Sequence, residues 1–177
     1  GAGFSYFWAL APNYDLTLGG RYYTKQGFLG MAEWRHRTAQ GRYDIRVAGI
    51  DQQNSNDFGA GGIDRAVEER GAIMSTGQFS IDPAWKFGWN VLAQSDGNFA
   101  RTYNLEDFDS REVTNEIYLT KLEDKTYFDL RVQKQLIQDN TVDQLAQSDP
   151  MVVDPDLFPS ANDLRQEQQA VVLPSFD

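Results

Sequence analysis

The chain has 177 residues, a formal net charge of −10, 41% hydrophobic residues and 13% aromatic residues, which suits one domain and is too rich in rings for a solvated coil. The acidic balance argues against a nucleic-acid surface, which needs clustered Lys and Arg to displace counterions. There is no cysteine, so a disulfide framework, a thiolate zinc site and a Cys nucleophile are excluded; no apolar run reaches the roughly 18 residues of a transmembrane helix.

In chain order, the first stretch is FSYFWALAPNYDLTLGGRYYTKQG (residues 4 to 27), with seven aromatics in 24 positions. FSYFWAL reads as a strand, APN as a turn and YDLTLGGRYYT as a second strand, which sets Tyr14, Leu16, Leu18 and Tyr22 against Asp15, Thr17 and Arg21. GFLGMAEWRHR (27 to 37) sets Phe28, Gly30, Ala32 and Trp34 against Glu33, Arg35 and Arg37. RYDIRVAGI (42 to 50) sets Tyr43, Ile45 and Val47 against Arg42, Asp44 and Arg46. GAIMSTGQFSI (71 to 81) is a weaker strand. AWKFGWNVLAQ (84 to 94) sets Trp85, Phe87, Trp89 and Val91 against Lys86, Asn90 and Gln94. EVTNEIYLTKL (112 to 122) is again weaker, and TYFDLRVQ (126 to 133) sets Phe128, Leu130 and Val132 against Asp129, Arg131 and Gln133. Strict alternation is the signature of a strand with one apolar and one charged face. The expectation is an all-β chain: an antiparallel up-and-down meander of about eight strands, each roughly 7 to 11 residues, near the length that crosses a bilayer at a tilt.

The connections are of two kinds. APN, TKQG, TAQG, DPAW and LEDK are tight, with Gly, Pro or Asn where turns need them. The stretches 51 to 69, 95 to 111 and 135 to 168 are long and polar and read as loops. AVEERGA is compatible with a helix but short. The chain starts at Gly1, no signal-peptide pattern occurs, and VVLPSFD ends the chain within an apolar run. It reads as a segment of a longer protein.

Alternating strands fit two architectures. In a soluble sandwich or closed barrel the apolar face is core; in an outer-membrane barrel it meets lipid and the charged face lines a lumen. Two features favour the membrane reading. Aromatics gather toward strand ends (Tyr6, Trp8, Tyr14, Tyr22, Trp34, Trp85, Trp89, Tyr118), as in interfacial girdles. The charged faces also mix signs, Glu33 with Arg35 and Arg37, Asp44 with Arg46, and Asp129 with Arg131, so neighbouring strands can pair charges across a wet interior.

YFWALAPNYDLTL, GFLGMAEWRHR, FGWNVLAQSDGNFARTYNL, EIYLTKLEDKTYFDLRVQ and AVVLPSFD closely resemble, in this order, the β-barrel part of the lipopolysaccharide-assembly LptD family, most of all its alphaproteobacterial members. The resemblance implies an open segment of a large transmembrane β-barrel, residues 1 to 177 forming the N-terminal part of the barrel domain, about its first third, with a periplasmic jelly-roll domain ahead of it and later strands behind. It implies insertion of lipopolysaccharide into the outer leaflet of the cell outer membrane. The implied partners are an LptE-like plug lipoprotein, periplasmic lipopolysaccharide-bridge proteins acting through the N-terminal domain, and membrane lipid. Asp15, Arg21, Glu33, Arg35, Arg37, Asp44, Arg46, Lys86, Asp129 and Arg131 would then face the lumen. The first hairpin, with Ser5, Tyr6, Trp8, Pro12, Tyr14, Gly19 and Gly20, would form a lateral gate where first and last strands meet. Family members commonly carry a proline before YFW and another near the end of DLTL; this chain has Ser5 and Gly20 there, while Pro12 of the turn remains. Glycine weakens a strand through entropy and a missing side chain, but Ser5 keeps the N–H that a proline lacks.

Counting turns puts the three long stretches on the side of TKQG. Long loops ordinarily face outward, which sets the APN turn in the periplasm, whereas a periplasmic domain ahead of the first strand sets it outside. Both orientations stay open.

The residues form no catalytic constellation and call for no cofactor. His36 is the single histidine, beside Arg35 and Arg37, and reads as a strand-end surface residue rather than a base or ligand. DFGAGGIDR (57 to 65) lacks the Gly-Lys-Ser/Thr of a phosphate loop. Asp107 with Asp109, and Asp154 with Asp156, are acid pairs of the kind that hold Ca²⁺ or lipid-bridging cations, but surface solvation is the plainer reading. Three functions fit: lipid translocation by an outer-membrane barrel, a generic porin or solute channel, and a soluble β-sheet binding module.

Overall fold

A computed structural model describes residues 1–58, 67–108, 112–137 and 171–176. It contains one antiparallel sheet whose nine strands pair strictly in chain order. They are β1 (Ala2–Ala11), β2 (Tyr14–Tyr23), β3 (Gly27–Arg37), β4 (Gly41–Asp51), β5 (Glu69–Ser80), β6 (Trp85–Gln94), β7 (Glu112–Glu123), β8 (Thr126–Ile137) and β9 (Val171–Phe176). The eight strands expected from alternation are present, and β9 adds a ninth by pairing Val171–Phe176 with β8. Among the described strands there is no Greek-key crossover. Among the described residues β1 and β9 form the two edges of the sheet.

Element bounds differ from expectation chiefly at three places. β5 starts at Glu69, so ERGA of the helix-compatible AVEERGA is strand. β8 runs on to Ile137, taking residues 135–137 from the long stretch read as loop. The stretch after β6 contains a single helical turn, α1 (Phe99–Thr102). Residues 59–66, Asp109, 138–170 and with them the Asp154–Asp156 pair lie outside the described residues, as does most of the glycine-rich DFGAGGIDR.

The tight turns carry their own hydrogen bonds. Asp82 Oδ1 accepts from the Ala84 and Trp85 N–H groups, both at 2.8 Å, an Asx-type closure of the DPAW turn. Thr38 Oγ1 accepts from the Gly41 N–H at 3.1 Å. Asp124 takes φ 46°, the left-handed conformation that a two-residue hairpin turn needs and that Asp tolerates.

Opposed residues in an antiparallel pair share a face, so the register sorts every side chain. Trp8, Leu16, Trp34 and Ile45 stand in one row, and Trp89, Ile117 and Val132 in another on the same face. Phe28, Tyr43, Val47, Phe87, Phe128 and Leu130 also lie on this face. No described protein layer covers it: Phe28 is 52% exposed and Val132 42%. The buried residues sit on the opposite face, in a cluster of Leu29, Ala48, Ile50, Ala72 and Leu92 beneath Phe99, Ala100, Tyr103, Leu105 and Phe108.

Candidate functional site

The polar face of the sheet is the candidate site. Asp15, Arg35, Asp44, Thr76, Asn90, Glu116 and Gln133 fall in one register row from β2 to β8. Alternation alone puts each of these on the charged face; the register puts them side by side. Arg35 Nε donates to Asp15 Oδ1 at 2.9 Å, and Gln133 Nε2 donates to Glu116 Oε2 at 3.0 Å. One row away, Arg46 Nε donates to Glu33 Oε1 at 3.0 Å, directly across the β3–β4 pair. Arg131 Nε donates to Asp129 at 2.9 Å, and its guanidinium lies over the Tyr118 ring at 5.3 Å. The result is a wet, ion-paired surface with both signs interleaved, and its pairs are of the partly exposed kind worth about 0.2–1 kcal/mol each.

Toward the end with the long connections, the same face becomes dry. The stretch read as a polar loop folds back over the sheet. Asn115 opens the way: its Oδ1 accepts from the Leu92 N–H at 2.6 Å and its Nδ2 donates to the Leu92 carbonyl at 3.0 Å, so the side chain stands in for a strand where the β6–β7 pairing ends at Asn90–Glu116. Phe99 and Leu29 are fully buried against one another's layer, each such burial worth roughly 1.5–3 kcal/mol. Arg70 and Asp96 pin the fold. Arg70 Nη2 and Nε donate to the two carboxylate oxygens of Asp96 at 2.6 and 2.8 Å, with both side chains essentially without solvent contact. The guanidinium lies 5.7 Å from the Phe99 ring and 5.6 Å from the Tyr103 ring. Burial pushes the Asp96 carboxyl upward, but hydrogen bonds from Arg70, its charge, Ser95 and the Asn98 N–H outweigh that and hold it below the usual carboxylate range. Tyr103 also donates its hydroxyl to Gln52, and its carbonyl accepts from Arg21 Nη1 at 2.9 Å.

On the apolar face an aromatic belt runs from β2 to β6. Tyr14 stacks on Trp34 at 5.3 Å, His36 meets Tyr43 edge-on at 5.4 Å, and Phe79 stacks on Trp89 at 5.7 Å. His36 belongs to this belt rather than to the charged face: its Nδ1 lies 3.3 Å from the Tyr43 hydroxyl and its Nε2 3.2 Å from Asn13 Nδ2.

All ten residues singled out on the charged side, Asp15, Arg21, Glu33, Arg35, Arg37, Asp44, Arg46, Lys86, Asp129 and Arg131, share the polar face. They do not form one cluster. Arg21 is drawn under the folded-back stretch, while Arg37 and Lys86 stand at the tight-turn end. In the first hairpin the β1–β2 ladder is continuous from Ala2–Tyr22 to Ala9–Asp15, passing through Ser5–Gly19 and Phe4–Gly20, and its register shift lies between Ala9 and Ala11 beside Pro12. Gly20 acts through space as well as through chain entropy. It is buried, and a Cβ there would stand 2.5 Å from the Phe28 ring and 2.6 Å from the Phe4 ring. Only glycine lets both rings lie over the strand.

Sequence reasoning missed Arg70, Asp96 and the apolar underside of NFARTYNLEDF. A signal was present: Phe99 and Tyr103 are four residues apart, one helical turn, with Leu105 and Phe108 following. Among the described residues no group of three acidic or histidine side chains is placed to hold a metal ion.

The family model for LptD, the LPS transport system D, matches residues 68–155. That span holds the Arg70–Asp96 pair and the strands from β5 to β8. The LPS-assembly protein LptD of Xylella fastidiosa (strain 9a5c) is 33% identical over 104 residues, 59% of this chain. Those of Xanthomonas euvesicatoria pv. vesicatoria (strain 85-10) and Xanthomonas oryzae pv. oryzae (strain MAFF 311018) are 28% identical over 102 residues, 58% of this chain. These matches support a partial LptD. The matched region spans 11% of the length of these curated relatives. The all-β meander fits the family reading made from APNYD and GFLGMAEWRHR. No described helix is long and apolar enough to cross a membrane, which says nothing of a β-barrel.

Proposed function

We propose that the chain forms part of the wall of an outer-membrane β-barrel translocon that inserts lipopolysaccharide into the outer leaflet of the outer membrane. Residues 1–177 are the N-terminal part of the barrel domain. The polar row faces a lumen, where an LptE-like plug lipoprotein sits, and periplasmic lipopolysaccharide-bridge proteins deliver the lipid through a domain preceding the barrel. The first hairpin, with Ser5, Tyr6, Trp8, Pro12, Tyr14, Gly19 and Gly20, forms one side of a lateral exit.

One observation carries the reading: a single sheet bears an aromatic-belted apolar face with no described layer over it and an ion-paired polar face behind it. A soluble sandwich needs a second layer on its apolar face; a barrel wall in lipid does not. The free ladder groups of an edge strand are tolerable in water but not in hydrocarbon, so the isolated 177-residue chain should require detergent. A monomeric, cooperatively melting chain in plain buffer returns the soluble module to first place. A photo-crosslinking residue at Thr17 or Asn90 in the protein in its membrane should capture lipopolysaccharide, and one at Ile45 or Val132 should capture phospholipid. Phospholipid at Ile45 without lipopolysaccharide at Thr17 or Asn90 favours a generic channel.

A further inference from the structure

We infer that the polar face carries a second site, at its tight-turn end, that binds a phosphate-type dianion. Arg37 and Arg42 stand directly opposite one another in the β3–β4 register. Like charges so placed repel and destabilise a sheet. Elsewhere on this face Arg35 pairs with Asp15 at 2.9 Å, Arg46 with Glu33 at 3.0 Å and Arg131 with Asp129 at 2.9 Å, while Arg21 donates to the Tyr103 carbonyl at 2.9 Å. Arg37 and Arg42 have no acidic partner among the described residues, and neither has Lys86, on the same face of β6. The three cations rim one open groove of about 410 Å³, which Gly41, Gln78 and Ser80 complete.

The Asp82 carboxylate of the β5–β6 turn is committed to the Ala84 and Trp85 N–H groups. In a chain with net charge −10, three cations around one concavity without an acidic partner among the described residues are a local reversal of sign. A dianion placed between Arg37 and Arg42 turns their repulsion into two charge-assisted, fork-shaped contacts, with Lys86 as a third point charge. The Gln78 amide and the Ser80 hydroxyl supply neutral hydrogen-bonding groups on the groove wall. The ligand class is a phosphomonoester or pyrophosphate, carried on a lipid headgroup or free. The inference rests on register and charge alone and holds whether or not the transport reading does.

The test is isothermal titration of the detergent-solubilised protein with inorganic pyrophosphate, with a short-chain phosphatidic acid, and with phosphatidylcholine of the same acyl length. At least one dianionic probe should bind about ten-fold or more tighter than phosphatidylcholine and weaken with added salt. Binding of both dianions supports the site with free phosphate as a sufficient ligand. Binding of phosphatidic acid alone supports it with a lipid headgroup as ligand, and binding of pyrophosphate alone supports it with a free anion. Arg42→Glu should abolish this binding while leaving the melting temperature unchanged or higher, because it faces Arg37 with an opposite charge. If that variant does not fold, Arg42→Gln decides by the same roughly ten-fold loss. Equal binding of phosphatidylcholine, no binding by either dianion, or wild-type affinity in a folded Arg42 variant overturns the inference. None of these results bears on whether the chain transports lipid.

Discussion

The two ends of the polar face are built from the same strands and the same alternation, yet they differ in what covers them. At the tight-turn end Arg37, Arg42 and Lys86 are exposed around an open groove. At the other end Arg70 is as charged as they are, yet only 3% exposed, with Asp96 against it and Phe99 and Tyr103 stacked beside it. The connections make the difference. A tight turn leaves the face open, because its few residues are committed to closing the hairpin. The stretch of residues after β6 is long enough to fold inward, and it brings both the apolar side chains and the carboxylate that a buried arginine requires. Position in a strand selects the face; the neighbouring loop selects whether that face is wet.

The sharpest break of this contrast is Arg70→Ala. It leaves Asp96 buried without its partner, and removing one member of a buried pair costs about 3–5 kcal/mol. Urea unfolding in detergent should show that loss, and amide exchange over residues 99–103 should rise before exchange in β2 to β4. The double change Arg70→Met, Asp96→Leu removes both charges and should come back close to wild type. A folded-back stretch that stays protected in Arg70→Ala would show that Phe99 and Leu29 alone hold it.

The same pair makes the covered end acid-sensitive. The Asp96 carboxyl is held below its ordinary range in the folded protein, so the folded state favours its ionised form. Its contribution is full above the unfolded carboxyl value of about 3.9 and disappears as pH falls through the lower folded value. Exchange at Phe99 to Thr102 should therefore be flat from neutral pH to about 5 and rise in stronger acid. Asp96→Asn should flatten that rise, and an acid response that persists in this variant assigns it to other carboxylates.

At the open end the expected effects are smaller. Gly88 lies beneath Tyr118, and a Cβ there would stand 2.4 Å from the ring. Gly88→Ala should cost about 1–3 kcal/mol through displacement of that ring, visible as a lowered unfolding midpoint with exchange at 99–103 unchanged. Smallest of all, Glu33→Gln weakens a half-exposed pair whose arginine keeps Asp44 at 3.8 Å and Asp107 at 3.5 Å. A shift of about 0.2–1 kcal/mol is expected. A loss as large as that of Arg70→Ala would mean that the middle of the face is as dry as its covered end.

Period-two alternation is a local property, and it was enough to determine the strand type, the eight main strands within a few residues of their ends, and the sorting of Glu33, Arg35, Asp44, Arg46, Asp129 and Arg131 from Trp34, Ile45, Trp89 and Val132. The family was legible for a related reason, since APNYD and GFLGMAEWRHR keep turn and strand chemistry together in one short run. The ninth strand was harder to see because Pro174 interrupts its apolar run; a proline is tolerated where no further described strand requires its missing N–H. What only the tertiary structure decided is long-range. Nothing in spacing joins Arg70 to Asp96, 26 residues on, or sets Arg37 against Arg42 rather than against an acid. Those neighbours follow from register and from a stretch folding over a sheet, and alternation along a single strand carries no information about the side chain on the next one.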